Sequence, residues 1–233
     1  MENIEAVDLR RFVEKYTVTH SITTININLR SIKTFLLWAK EEGHIQDVPK
    51  IKEIRTGTGL PRYLTASEFN QLQAVSPPVL ADVFWFYRET GCRLREPFNA
   101  VVKGTYLIIS VDKTKGGEER QVPLNNDLLE IYSKLINASY APKYYSEQFK
   151  LLMRKAEIEG HKFHDLRHTF GVRTWLQTGD LHLVSQLMGH KSILTTQIYT
   201  KFFIARLKED FPDLVGFATD ITKGRFDLLN RGR

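Results

Sequence analysis

The order of apolar and polar positions divides the chain into a short helical start, a stretch without periodicity, and a long region of helices interrupted by two strands. Residues 5–16, EAVDLRRFVEKY, place Val7, Leu9, Phe12, Val13 and Tyr16 mostly on one side of a short helix. Ser21 can cap a longer helix running to about Glu42, whose apolar residues Ile22, Ile25, Leu29, Ile32, Phe35, Leu36 and Ala39 recur at spacings of three and four. Gly43 follows as a stop. Residues 46–62, QDVPKIKEIRTGTGLPR, mix proline, glycine and charge with no apolar period and read as a linker. Thr65-x-x-Glu68 is a capping box that opens the next helix, and Ser76-Pro77-Pro78 breaks it. Residues 79–90 then carry Leu80, Val83, Phe84 and Tyr87 on one side and end at Gly91. Tyr106–Val111 and Arg120–Leu124 read as short strands rich in β-branched residues, with Gly116-Gly117 as the turn between them. Helices are expected at about 126–137 and 146–158, then from His164 or Asp165 to about Gln177, with Leu166, Phe170 and Leu176 facing a core. Asp180 caps a further helix that buries Leu183, Val184 and Leu187, and Gly189 turns the chain. Ser192 opens the segment holding Tyr199. A last helix contains Phe226, Leu228 and Leu229.

Composition narrows the setting more than the chemistry. A chain of 233 residues suffices for one large domain or two modest ones. The net charge of +6 is compatible with a polyanionic partner, but on charge alone a mildly basic protein with no such partner is the favoured reading, and only the motifs change that. Cys92 is the only cysteine, which excludes an intrachain disulfide and a multi-cysteine zinc site and fits a reducing cytoplasm. No apolar run approaches the roughly 20 residues that span a bilayer. The start, MENIEAVDLRRF, is acidic and lacks the apolar core of a signal peptide.

Candidate chemistry concentrates between Lys162 and Thr200. This stretch brings His164, Arg167, His168, His190 and Tyr199 into one ordered set. The arginine fork clamps phosphate through paired donors and stays charged. Histidine donates a hydrogen bond or a proton near neutral pH. Tyrosine can form a covalent intermediate. His164 and Arg167 stand about one helical turn apart and can reach one phosphate. His168 can join them or fill a core position, and the structural role is favoured. Tyr140, Tyr144 and Tyr145 are alternative nucleophiles by residue type but sit in a context of packing or rim residues.

These boxes resemble those of the tyrosine recombinases, the phage integrase family, and most closely its compact integrase and Xer-type members. HDLRHTF resembles the second arginine box, with His164 and Arg167 at its catalytic positions. LMGH followed by TTQIYT resembles the last box, with His190 and the nucleophile Tyr199. TGCRLRE resembles the first arginine box, giving Arg93 and the supporting acid Glu96. KTKGGEERQVPL resembles the lysine-bearing hairpin, with Lys115 as the match and Lys113 in reserve. A lysine on such a turn is ordinarily just solvated, and only its place between the two arginine boxes singles Lys115 out.

The resemblance implies a mainly α fold with a small antiparallel β-sheet. It implies a helical core-binding domain at residues 1–56, a linker at 57–62 and a catalytic domain at 63–233. SITTININLRSIKTFLLWAKEEG resembles the second half of the core-binding domain, and the family's usual first helix is expected to be missing ahead of it, through truncation or reduction. The segment between Glu96 and Tyr106 is short for the family, so one strand of the sheet is expected to be reduced. The implied reaction is attack by Tyr199 on a DNA phosphate, leaving a 3′-phosphotyrosyl link and a free 5′-hydroxyl. Arg93, Arg167 and His190 would stabilise the phosphate charge, Lys115 would protonate the 5′-oxygen, and His164 would assist proton transfer from Tyr199. Neither a metal, nor ATP, nor another cofactor is implied. The implied partner is duplex DNA with a specific recombination site, bound by four protomers, with the apolar C-terminal segment docking on a neighbour. Three other readings stand beside it: a type IB topoisomerase-like strand transferase, a DNA-binding protein without catalysis, and a metal-dependent hydrolase. The last rests on His164 and His168 standing four apart as in HExxH, but Asp165 replaces the glutamate and is too short for the same base role.

Overall fold

The computed structural model describes residues 4–55, 57, 59–110, 119–190, 192–202 and 204–214. The chain divides into two compact units between Gly59 and Leu60. Among the described residues the fold is mainly helical with one small antiparallel sheet.

The first unit pairs α1 (Ala6–Thr17) with α2 (Ile22–Glu41). The Ser21 hydroxyl accepts from the Thr24 amide at 3.2 Å and so satisfies one of the free donors at the start of α2. The buried stripe is narrower than the apolar pattern suggests. Leu9, Ile25, Leu29, Leu36 and Ala39 are buried, but Phe35 is 57% exposed and packs beside the exposed Trp38. Within this unit α2 packs against a single helix, which covers only one stripe of it. Asn26 is the buried polar exception: its side chain donates to the Ile54 carbonyl at 2.8 Å and accepts from the Ile54 amide at 2.9 Å. Both main-chain groups of Ile54 are thereby satisfied, so a stretch without apolar period is nonetheless tied to α2.

The second unit is built on α4 (Pro78–Thr90), which packs against α5 (Asn126–Asn137), α6 (Pro142–Lys155) and α7 (Asp165–Thr178). Contact with three helices explains why α4 buries Phe86 as well as Leu80, Val83, Phe84 and Tyr87. The capping box of Thr65 and Glu68 opens α3 (Ala66–Val75). The helix α6 begins at Pro142, earlier than the pattern suggests, because proline suits the first helical position.

The sheet has the order β1-β2-β3, from β1 (Val101–Lys103), β2 (Tyr106–Ile109) and β3 (Arg120–Pro123). Its register pairs Val101 with Ile108, and Ile109 with Arg120. The short segment after Glu96 therefore still forms a strand. It spans only three residues, of which Val102 packs against the larger core while Val101 and Lys103 are exposed, and so short a run gives little period to read in sequence. The turn expected at Gly116-Gly117, and with it Lys113 and Lys115, lies outside the described residues, as does the last expected helix.

A smaller core gathers Val172, Trp175 and Leu176 of α7, Val184 and Met188 of α8 (Leu181–Met188), and Leu207 and Phe211 from around α10 (Ile204–Asp210). Between α8 and α10 come α9 (Ile193–Thr196) and a 3₁₀ turn, Gln197–Lys201. Tyr199 sits in that turn and belongs to this core.

Candidate active site

Glu96 is the hinge of the electrostatics. It lies just beyond α4 and accepts from the Arg93 amide at 2.6 Å and from the Arg93 guanidinium at 2.7 Å. It also pairs with Arg120, and its Oε2 lies 4.0 Å from Arg167 Nη1. Burial alone would raise the Glu96 carboxyl, but Arg120, the two Arg93 bonds and Arg167 outweigh it and hold the pKa below the usual range. Glu96 is marked in sequence by the TGCRLRE box, whereas Arg120 belongs to no arginine box. The signal for Arg120 is its register: it faces inward on β3 with Val122, and an inward arginine needs an acid.

Arg167 is 2% exposed. Its guanidinium donates to the Gly91 carbonyl at 2.6 Å and to the Met188 carbonyl. It thus ties the C-terminal ends of α4 and α8 to α7. Burial, then Arg93 and Arg120, lower its pKa to about 10, so it remains charged at neutral pH. Two glycines make this junction possible. Gly91 takes φ +60°, and a Cβ there would stand 2.4 Å from Phe170 Cδ1. Gly189 takes φ +61°, and a Cβ there would meet Arg120 Cδ at 2.7 Å.

His190 follows Gly189, and its Nδ1 is 2.8 Å from the hydroxyl of buried Thr196. Burial, then Arg167 and Arg93, lower its pKa to about 4, so it is neutral at neutral pH. His164, exposed at the start of α7, is also lowered, by desolvation and then by Arg167 and Arg93. The Asp165 carboxylate accepts from the Lys162 amide at 2.9 Å and contacts His161 at 3.2 Å, an arrangement that secures the helix start. Arg93 is the half-exposed arginine of this set, its side chain 49% accessible.

Tyr199 is 1% exposed, and its hydroxyl lies 3.2 Å from His168 Nδ1. Burial pushes the phenol up to about 12, against a lowering influence from Arg167. The ring lies on Gly171 of α7, where a Cβ would stand 2.7 Å from Tyr199 Cζ and 2.8 Å from Oη. His168 and His164 meet edge to face with centroids 4.9 Å apart. Among the alternative tyrosines, Tyr145 is buried in the larger core beside Tyr140 and Tyr144, which stack on one another.

The site therefore joins Arg93, Arg120 and Arg167 around one carboxylate, with His164 and His190 near enough to Arg167 and Arg93 to feel their charge, and sets a tyrosine hydroxyl against the same helix that carries Arg167. This excess of fixed positive charge suits an anionic ligand that carries more than one oxygen. Residues 62–205 match the sequence pattern of the phage integrase family, and that span includes every one of these residues. The chain belongs to the phage integrase family. Among its relatives in this family is tyrosine recombinase XerA of Pyrococcus furiosus, 28% identical over 229 residues that cover 88% of this chain and 79% of the relative. Another is tyrosine recombinase XerC of Thermodesulfovibrio yellowstonii, 25% identical over 244 residues, covering 89% and 81%. The fold is that of solved integrases. The XerH site-specific recombinase in a post-cleavage complex with palindromic difH substrate superposes with a TM-score of 0.68 at 21% identity, over 89% of this chain and 71% of that one. A lambda integrase dimer bound to a COC′ core site also gives 0.68, at 17% identity, over 84% and 82%. In this integrase-family chain, no helix among the described residues is long and apolar enough to cross a membrane.

Proposed function

We propose that this chain is a site-specific DNA recombinase that cuts and rejoins duplex DNA through a covalent bond to Tyr199. The observation that carries the reading is the placing of the Tyr199 ring on the α7 segment that holds Arg167 and His168, in a chain of the phage integrase family. Tyr199 Oη attacks a backbone phosphorus in line, the Oη–P bond forms, and the bond from phosphorus to the 5′-oxygen breaks. Arg93, Arg167 and His190 stabilise charge on the non-bridging oxygens. Glu96 keeps Arg93 in place through its two bonds. Lys115 protonates the departing 5′-oxygen, and His164 belongs to the path of the Tyr199 proton. The arginines carry the charge that Mg²⁺ carries in other phosphoryl transfers, so the reaction runs without a metal. The bond energy stays in the 3′-phosphotyrosine, so rejoining needs no ATP. The first unit grips the duplex as a core-binding domain, and four protomers assemble on paired recombination sites. A lambda integrase tetramer bound to a Holliday junction has the same fold as this chain.

The test starts from a random-sequence pool of duplexes, each with a nick that lets the strand downstream of cleavage diffuse away. Covalent adducts are recovered after denaturation with detergent and sequenced. The expected result is enrichment of one sequence class, with protein on the 3′-phosphate. Recovery of protein on 5′ ends, or of no adduct from any duplex, overturns the reading.

A further inference from the structure

His168 lies outside the set of groups that the sequence assigns to the reaction, yet among the described residues its side chain is within hydrogen-bond reach of the nucleophile's hydroxyl. Its Nδ1 is 3.2 Å from Tyr199 Oη, within hydrogen-bond reach. The contact is built in from both sides. Gly171 stands three residues after His168 on α7, and the absence of a Cβ there lets the phenol lie against the helix. His164 stands four residues before His168, on the same face, its ring edge to face with the His168 ring. The hydroxyl, His168 and His164 thus form a row that leads from the buried nucleophile to the exposed start of α7.

We propose that His168 is a catalytic residue, the group that takes the phenolic proton of Tyr199 as its oxygen attacks phosphorus. This rests on the recombinase reading above. The Tyr199 proton moves to His168 Nδ1 as the Oη–P bond forms and the bond to the 5′-oxygen breaks, the leaving oxygen taking its proton from Lys115. On rejoining, the 5′-hydroxyl attacks phosphorus and loses its proton to Lys115, while His168 returns its own to the departing Tyr199 oxygen. No oxidant, reductant or further reactant is needed. His164 becomes the second group in the row, exposed to solvent, and disperses the charge on His168.

Charge favours this order. Burial, then His164, lower the His168 pKa to about 4, so its ring is neutral at neutral pH and its lone pair is free to accept. That value belongs to the site without DNA. A bound phosphate adds negative charge beside the ring and favours the imidazolium, while Arg167 favours the phenolate. Both changes bring proton donor and acceptor closer in strength, as efficient transfer requires.

The test uses the nicked duplex recovered with the wild-type chain. His168→Ala is expected to bind this duplex with unchanged affinity and to form adduct about 10²-fold more slowly or worse. Added imidazoles are expected to restore its rate, with more basic imidazoles restoring more. A merely structural histidine would show no such dependence. His168→Gln guards against misfolding: its amide oxygen can still hold the hydroxyl but cannot take the proton. A folded His168→Gln variant, checked by its melting profile, is expected to be as slow as His168→Ala. Wild-type rates from a folded His168→Gln, or imidazole rescue of His164→Ala but not of His168→Ala, overturn the proposal and leave the recombinase reading intact. Absence of any adduct from the wild-type chain defeats the recombinase reading, and this inference with it.

Discussion

At the scale of single residues, Glu96 shows how one carboxylate can set a cationic site. It contacts Arg93 and Arg120 and lies 4.0 Å from Arg167, while its own side chain is largely buried. Glu96→Gln leaves buried guanidinium charge without its acid and is expected to lower unfolding stability by about 3 kcal/mol. Urea denaturation checks this, and an unchanged midpoint contradicts it. The histidines make an acid limit. His168 and His190 both fall to about 4 in the folded chain, against about 6.5 unfolded. Between those values the unfolded chain binds more protons, so stability is complete above about pH 6.5 and is lost as pH falls toward 4. His161 has the opposite sign. Its bond to Asp165 raises its pKa against the pull of burial, so its contribution is complete in acid and is lost as pH rises through the folded value. Unfolding midpoints of His190→Asn, followed from pH 7 to 4, are expected to fall less than those of the wild type; a steeper fall contradicts the assignment. Lys115 is tested through the leaving group. Lys115→Ala is expected to cut ordinary DNA about 10²-fold more slowly, yet to approach the wild-type rate when sulfur replaces the bridging 5′-oxygen. Rescue of Lys113→Ala instead would move the acid by two residues.

At the scale of elements, the pattern of apolar positions was most legible where a helix has one wet face. The starts of α2 and α3 follow from Ser21, and from Thr65 with Glu68, because a cap is written in adjacent residues. What the pattern could not supply was set by distant packing. β1 is three residues long with only Val102 turned to the core, too short a run for a period to stand out. Arg120 reads as one residue of a strand until Glu96, 24 positions away in the chain, is placed beside it. His168 reads as a core histidine until the 3₁₀ turn brings Tyr199 against α7. The glycines were legible as helix stops, but not the contacts that require them. Gly91→Ala must accept both a left-handed backbone and the Phe170 ring, and is expected to destabilise by about 1–3 kcal/mol through overpacking alone. A thermal melt at the wild-type midpoint would show that α4 and α7 can shift apart without loss.

At the scale of the whole molecule, the boxes identified in sequence lie along more than a hundred residues, but the fold collects Arg93, Glu96, His164, Arg167, His190 and Tyr199 around the ends of α4, α7 and α8. Arg167 bonds the ends of two of these helices, so charge placement and helix packing depend on the same side chain. If arginines alone carry the phosphate charge, cleavage proceeds unchanged in excess EDTA; loss of cleavage restored by added Zn²⁺ or Mg²⁺ would contradict that account. The central claim is that Tyr199 becomes the covalent link to DNA. Its most direct test is mass spectrometry of the peptide that carries the nucleotide after the trapped adduct is digested. The account predicts a nucleotide on the peptide containing Tyr199, and no adduct from Tyr199→Phe although that variant still binds the duplex. A nucleotide on the peptide containing Tyr145, or an adduct of wild-type yield from Tyr199→Phe, would contradict it.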